Sequence, residues 1–201
     1  MIGLTSSVEH RSHGNWDDAR FQPAYATIEP MKARIPAILE PDSIDVVSHG
    51  PAHTVRIGQQ IGAALTAGDL VLLFGTFGVG KTHLTKGIAS AFGIPEADVT
   101  SPTFVLVNNY TADKTHGRTR IHHIDLYRLE GNAKDFDSIG LEELWDDSAI
   151  CVIEWAERVS DSLPSEYLEI RIDHLAETKR MMRLKPHGER YKQLIQRLRG
   201  K

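Results

Sequence analysis

Leu70–Thr82, LVLLFGTFGVGKT, decides how this chain folds. An unbroken apolar run from Leu70 to Phe74 stops at Gly75. Gly75-Thr76-Phe77-Gly78-Val79-Gly80-Lys81-Thr82 then satisfies G-x-x-x-x-G-K-[ST] at every fixed position. Glycines let the backbone adopt φ > 0 and approach a ligand with no Cβ in the way. The N–H groups of such a loop turn inward and form a concave anion site. A helix starting at Lys81 adds its positive N-terminal end. Lys81 is then placed for β/γ-phosphates and the Thr82 hydroxyl for Mg²⁺. A Gly-rich strand-to-helix turn that binds nothing is the bland alternative. The buried-type strand before the loop and the amphipathic pattern after it favour phosphate binding.

Working backward, Gly68-Asp69 ends a helical pattern over Pro51–Ala67, with Ile57, Ile61 and Leu65 at i, i+4, i+8. SIDVVS, Ser43–Ser48, reads as a first strand. Residues 1–40 are polar and aperiodic and read as a disordered extension, which leaves 41–201 as a single domain. Met31 is an alternative translation start, and His10 and His13 are isolated. Working forward, the helix from Lys81 runs to about Phe92, with Leu84, Ile88 and Ala91 inward; Gly93 and Pro95 stop it.

Thr100–Phe104, TSPTF, offers the hydroxyls of Ser101 and Thr103 around Pro102. It is either a γ-phosphate-sensing loop or a plain β-turn. Phe104–Tyr110 reads as a strand, Thr111–Arg120 as a polar connection, and IHHIDL (Ile121–Leu126) as the next strand. Glu130–Asp147 is acidic and helical in part, anchored by Ile139, Leu141, Leu144 and Trp145. Ala149–Ile153 is a buried strand leading into Glu154-Trp155. Tyr167–Ile172 and Thr178–Pro186 form an edge pair, and Glu189–Arg199 is a last amphipathic helix. Strands alternating with helices predict an α/β fold, with a mixed, mostly parallel sheet and helices on both faces.

Composition narrows the function classes. The 201 residues are 41% apolar and 25% charged, with net charge −4, which are globular values. Charge is uneven: 130–157 carries nine acids and one Lys, and 185–201 six Lys/Arg and one Glu. The basic tail is either a contact for a partner or RNA, or a solvated helix face. Cys151 is the only cysteine, so no internal disulfide forms, and its apolar surroundings mark it as core. No apolar run approaches the ~18 residues that span a bilayer, and the first residues lack a secretory pattern. A cytoplasmic location is expected, with no membrane partner.

A nucleotide site also needs acids near Thr82. Asp125 ends one strand and Glu154 another, and parallel strand ends gather at the phosphate-loop edge. Asp125 is assigned to Mg²⁺, directly or through water, and Glu154 to orienting or deprotonating the attacking water. Either can instead be a surface carboxylate or ion-pair partner. His122 and His123 alternate faces, one toward the site and one toward packing, with core or capping roles favoured over metal ligation. Trp155 is placed to stack on nucleotide or to pack in the core. Arg128 and Arg158 are finger candidates by position alone.

Together, GDLVLLFGTFGVGKT (68–82), SPTF (101–104), HIDLYRL (123–129) and VIEWAER (152–158) are similar to the TsaE (YjeE) family of bacterial P-loop ATPases, which serve tRNA threonylcarbamoyladenosine synthesis. The resemblance covers about 43–175. It implies a P-loop NTPase fold and weak ATP hydrolysis with Mg²⁺. It also implies two partners, a threonylcarbamoyl-transferring subunit (TsaD-like) and its companion (TsaB-like), which modify adenosine 37 of tRNAs reading ANN codons. The ATPase resets that complex and does not itself transfer the group. Carried over, Gly75, Thr76, Phe77, Gly78, Val79, Gly80, Lys81, Thr82, His83 and Trp155 bind nucleotide. Lys81 and Glu154 serve hydrolysis, and Thr82, Asp125 and Glu154 serve the metal. Ser101 and Thr103 belong to a switch-like loop. Thr76 stands where the family usually has an acid, and His83 where it often has a hydroxyl. A small-molecule or nucleotide kinase, and a nucleotide-gated binding module with little turnover, are the competing readings. No Arg cluster of a kinase lid is visible.

Overall fold

The computed structural model describes residues 42–112, 119–129, 147–158 and 163–200. The extension 1–40, the tip of the polar connection (113–118) and nearly all of the acidic stretch 130–147 lie outside these residues. In chain order the elements are β1 (Ile44–Ser48), α1 (Pro51–Gly62), β2 (Leu70–Phe74), α2 (Lys81–Ser90), β3 (Val107–Ala112), β4 (Thr119–Asp125), β5 (Ala149–Glu154), a 3₁₀ turn (Ala156–Arg158), β6 (Tyr167–His174), β7 (Arg180–His187) and α3 (Glu189–Arg199).

The strands form one seven-stranded sheet in the order β1-β7-β6-β2-β5-β4-β3. β6, β2, β5 and β4 pair in parallel. β7 runs against β6, β1 against β7, and β3 against β4. Five strands therefore share one direction and two oppose it, a mixed and mostly parallel sheet. β2 sits at the centre, which is why Leu70–Leu73 are all apolar and buried: both faces of that strand are covered.

The larger core lies on the face carrying Val71, Leu73, Val152, Leu168 and Ile170, where all three described helices insert side chains. Ile57 and Ile61 of α1, Leu84 and Ile88 of α2, and Leu194 and Ile195 of α3 fill it. The opposite face holds a smaller cluster of Leu70, Leu72, Ile124, Leu126, Cys151, Ile153 and Ala156. The expected core position of Cys151 is met, and burial pushes its thiol pKa far up, so it is not a nucleophile.

Helices α1 and α2 meet backbone to backbone. A Cβ on Gly58 would lie 2.3 Å from Leu84 O, and one on Gly87 2.0 Å from Val55 O. This closeness sets where α2, and so the loop before it, sits on the sheet. α3 docks through Tyr191, whose Oη accepts the Leu70 N–H at 2.7 Å, and through Arg190, which pairs with the buried Asp69. Arg190 and Arg199, which donates to Ser43 O, show that part of the basic tail serves intramolecular contacts. Among the described residues no helix is long and apolar enough to cross a membrane.

Most element boundaries shift by one to a few residues from the sequence expectation, and two shifts matter here. β3 begins at Val107 instead of Phe104, because Val105 N and Leu106 N both turn back to Pro102 O and Leu106 takes φ 67°. Helix α1 ends at Gly62, where successive turns lead through Leu65 to Gly68.

Candidate functional site

The strand-to-helix loop has the backbone its glycines predict. Gly75, Gly78 and Gly80 all have positive φ, at 141°, 71° and 113°. A side chain at Gly75 would also strike Ile172 O, 2.4 Å from its Cβ position. Gly80 caps α2 with no side-chain cap, and the first turn has no acidic residue. Gly80 thus gives the first N–H groups of α2 no capping side chain, at the end where the helix is most positive. Lys81 is buried, and its Nζ donates to Gly75 O at 2.6 Å and Thr76 O at 3.0 Å. Burial lowers its pKa below the ordinary lysine value, while Glu154, Glu157 and Asp125 oppose the shift.

β4 and β5 are parallel neighbours in register, with Asp125 opposite Glu154. Both carboxylates are almost wholly buried. They are not equivalent. Glu154 Oε1 accepts the Thr82 hydroxyl at 2.9 Å and faces His123 Nε2 at 2.8 Å. Asp125 Oδ2 accepts the Ser101 and Thr103 hydroxyls, and its Oδ1 accepts the Tyr127 N–H at 2.9 Å. One carboxylate is tied to the end of the phosphate loop and the other to the 101–104 loop. The backbone just after Glu154 is strained: Trp155 takes φ 61°, rare for a bulky residue. That turn lays the indole against Lys81, Nζ to ring centroid 3.8 Å.

These groups line one cavity of about 580 Å³, from Phe77 through His83, with Ser101, Thr103, Asp125, Glu154 and Trp155. The family model for "Threonylcarbamoyl adenosine biosynthesis protein TsaE" matches residues 48–182, which includes every one of them. The chain belongs to the TsaE family.

The tRNA threonylcarbamoyladenosine biosynthesis protein TsaE of Treponema pallidum is 40% identical over 134 residues, covering 67% of this chain and 94% of that protein. Its namesake in Bacillus subtilis is 34% identical over 148 residues, 74% of this chain and 89% of that protein. Among solved structures, YdiB of Bacillus subtilis superposes with a TM-score of 0.64 at 28% identity, covering 79% of this chain and 95% of the other. The TsaE match and this likeness agree with the P-loop α/β fold.

Within this TsaE chain, the structure gathers nearly all the residues singled out from sequence. Gly78 to His83, Phe77, Ser101, Thr103, Asp125, Glu154 and Trp155 line the cavity, while Gly75 and Thr76 form the loop base that Lys81 Nζ grips. Arg128 also lines it, its guanidinium over the exposed Phe104 ring at 4.2 Å. Arg158 is not among the lining residues. Trp155 packs on the smaller core cluster, as one of its two expected roles has it, and also lines the cavity. His122 and His123 do alternate: His123 is fully buried beside Glu154, and His122 meets Asn109.

Sequence reasoning missed Tyr127, whose ring sits 4.9 Å from Trp155 and 6.0 Å from Phe77. Its place between Asp125 and Arg128 in the quoted HIDLYRL was the available signal. It also missed Arg180, whose Nε donates to Val79 O at 3.1 Å from behind the loop. That contact joins residues 101 positions apart, and nothing local announces it.

Proposed function

We propose that this chain binds and hydrolyses ATP with Mg²⁺ as a subunit of the machinery that makes tRNA N6-threonylcarbamoyladenosine. Its TsaE membership and the names of its relatives support the pathway. The observation that carries the ATPase reading is the Thr82–Glu154 hydrogen bond at the mouth of an uncapped, glycine-built α2 terminus. Residues 41–201 act as the single nucleotide-binding domain, with 1–40 as an appended extension and the cytoplasm as the compartment.

The residues fit a nucleoside triphosphate. The loop from Gly75 to Gly80 offers backbone donors, and Lys81 Nζ, now on Gly75 O, would exchange that bond for one to a phosphate oxygen. Among the described residues no three His, Cys, Asp or Glu side chains form a self-sufficient metal cage. That suits Mg²⁺, which takes one or two protein ligands and relies on phosphate oxygens and water for the rest. Thr82 and Asp125 would hold it, directly or through water, with Glu154 beside Thr82. The ion would supply charge neutralisation at the β/γ-phosphates. Glu154 orients the attacking water and accepts its proton. Trp155 and Tyr127 exclude bulk water from Lys81. Ser101 and Thr103, latched to Asp125, form a loop that nucleotide can release or hold. The activity serves a threonylcarbamoyl-transferring (TsaD-like) subunit and its TsaB-like companion, reaching tRNA through that complex and resetting it between turnovers.

The latch also favours a second reading, a nucleotide-gated module with little turnover. Glu154→Gln separates the two. Under the ATPase reading it keeps ATP affinity and loses hydrolysis. Hydrolysis at the unaltered rate in that variant would remove Glu154 from the mechanism.

A further inference from the structure

Glu154 is held from the neighbouring strand by His123. His123 lies on β4, one strand over, with its ring fully buried. Its Nε2 is 2.8 Å from Glu154 Oε1. Its Nδ1 is buried and has no hydrogen-bond partner. A neutral imidazole carries one N–H. Placed on Nδ1, that N–H would be a buried donor with no acceptor, and Nε2 would turn a lone pair toward a carboxylate. Placed on Nε2, it satisfies Glu154 and leaves only an idle lone pair in the core, which is the cheaper arrangement.

Oε1 therefore receives two donors, His123 Nε2–H and the Thr82 hydroxyl. Among the described residues Oε2 makes no hydrogen bond, and Glu154 lines the cavity. A carboxylate pinned through one oxygen presents the other in a fixed direction. We infer that His123 is a positioning residue for Glu154: as the Nε2–H tautomer it fixes Oε1, so that Oε2 is the oxygen offered to the attacking water. This rests on the ATPase reading for its kinetic consequence, but not for its geometry.

The first test uses the nucleotide-free full-length protein with ¹⁵N-labelled histidine rings, His123→Gln serving to assign the signal. The expected spectrum shows His123 as the Nε2–H tautomer; an Nδ1–H tautomer overturns the inference. The second test is kinetic. His123→Phe removes the donor, and ATP turnover falls about 10–100-fold, the usual effect of losing a partner that orients a reactive group. Affinity for MgATP, measured by direct binding, barely moves. His123→Gln, which keeps an N–H at nearly the same place, recovers most of the turnover. Equal losses in the Phe and Gln variants would contradict positioning. If the unaltered protein does not turn over ATP at all, the proposed function fails, and the ring tautomer alone decides this inference.

Discussion

Gly87→Ala adds one methyl group to α2 at its contact with α1. The new Cβ falls 2.0 Å from Val55 O, 2.8 Å from the Gly58 Cα and 2.9 Å from the Val55 carbonyl carbon. All three neighbours are backbone atoms, so no side chain can swing aside. Relief requires the helices to part by about 1 Å, taking 3.0 Å as the closest tolerable approach. Overpacking of this kind costs ~1–3 kcal/mol, and a backbone obstacle puts it at the upper end. Alanine's better helix propensity returns about 1 kcal/mol. The net loss is about 2 kcal/mol, or roughly 4–8 °C in Tm for a chain of this size. Function suffers as well, because α2 begins at Lys81 and Thr82 and any shift disturbs the 2.9 Å Thr82–Glu154 contact. The assay is thermal unfolding followed by nucleotide titration on the same sample. A Tm equal to or above that of the unaltered protein would mean that propensity alone decides, and would refute the close-packing account of how α2 is placed.

Two further outcomes follow from the geometry. Lys81 has a pKa lowered by burial from an ordinary value of 10.5, so the unfolded chain binds the extra proton more readily than the folded one. Stability of the nucleotide-free protein should therefore rise with pH between the lowered value and 10.5, while phosphate affinity falls as Lys81 loses its charge; Lys81→Met should flatten both in chemical denaturation and binding titrations. Tyr191→Phe removes the acceptor of the buried Leu70 N–H and should cost about 1–3 kcal/mol in urea denaturation, with the phosphate-loop cavity unaltered.

The phosphate loop was legible because its motif encodes backbone geometry, and the positive φ values of Gly75, Gly78 and Gly80 repeat that code. β2 and α3 have the boundaries their patterns predict, since apolar runs and helical spacing are local signals. Strand order was not legible, because pairing β2 with β5 and β6 joins residues far apart in sequence. The two acids were legible as a pair at strand ends, yet their division of contacts was not. Which of them meets Thr82 depends on how α2 lies over the sheet, and that is set by Gly58 and Gly87 touching opposite backbones. Phe104–Leu106 misled by composition: three apolar residues read as strand, while the Val105 and Leu106 N–H groups bond back to Pro102 O and fold the segment into a turn.

The ATPase proposed for this chain is completed by its partners. The most direct measurement is ATP hydrolysis by the full-length protein with Mg²⁺, alone and with the TsaD-like and TsaB-like subunits plus tRNA. Slow hydrolysis that rises when the partners are added is the expected result. Brisk phosphate transfer to an added small acceptor, indifferent to the partners, would contradict it and point to a kinase.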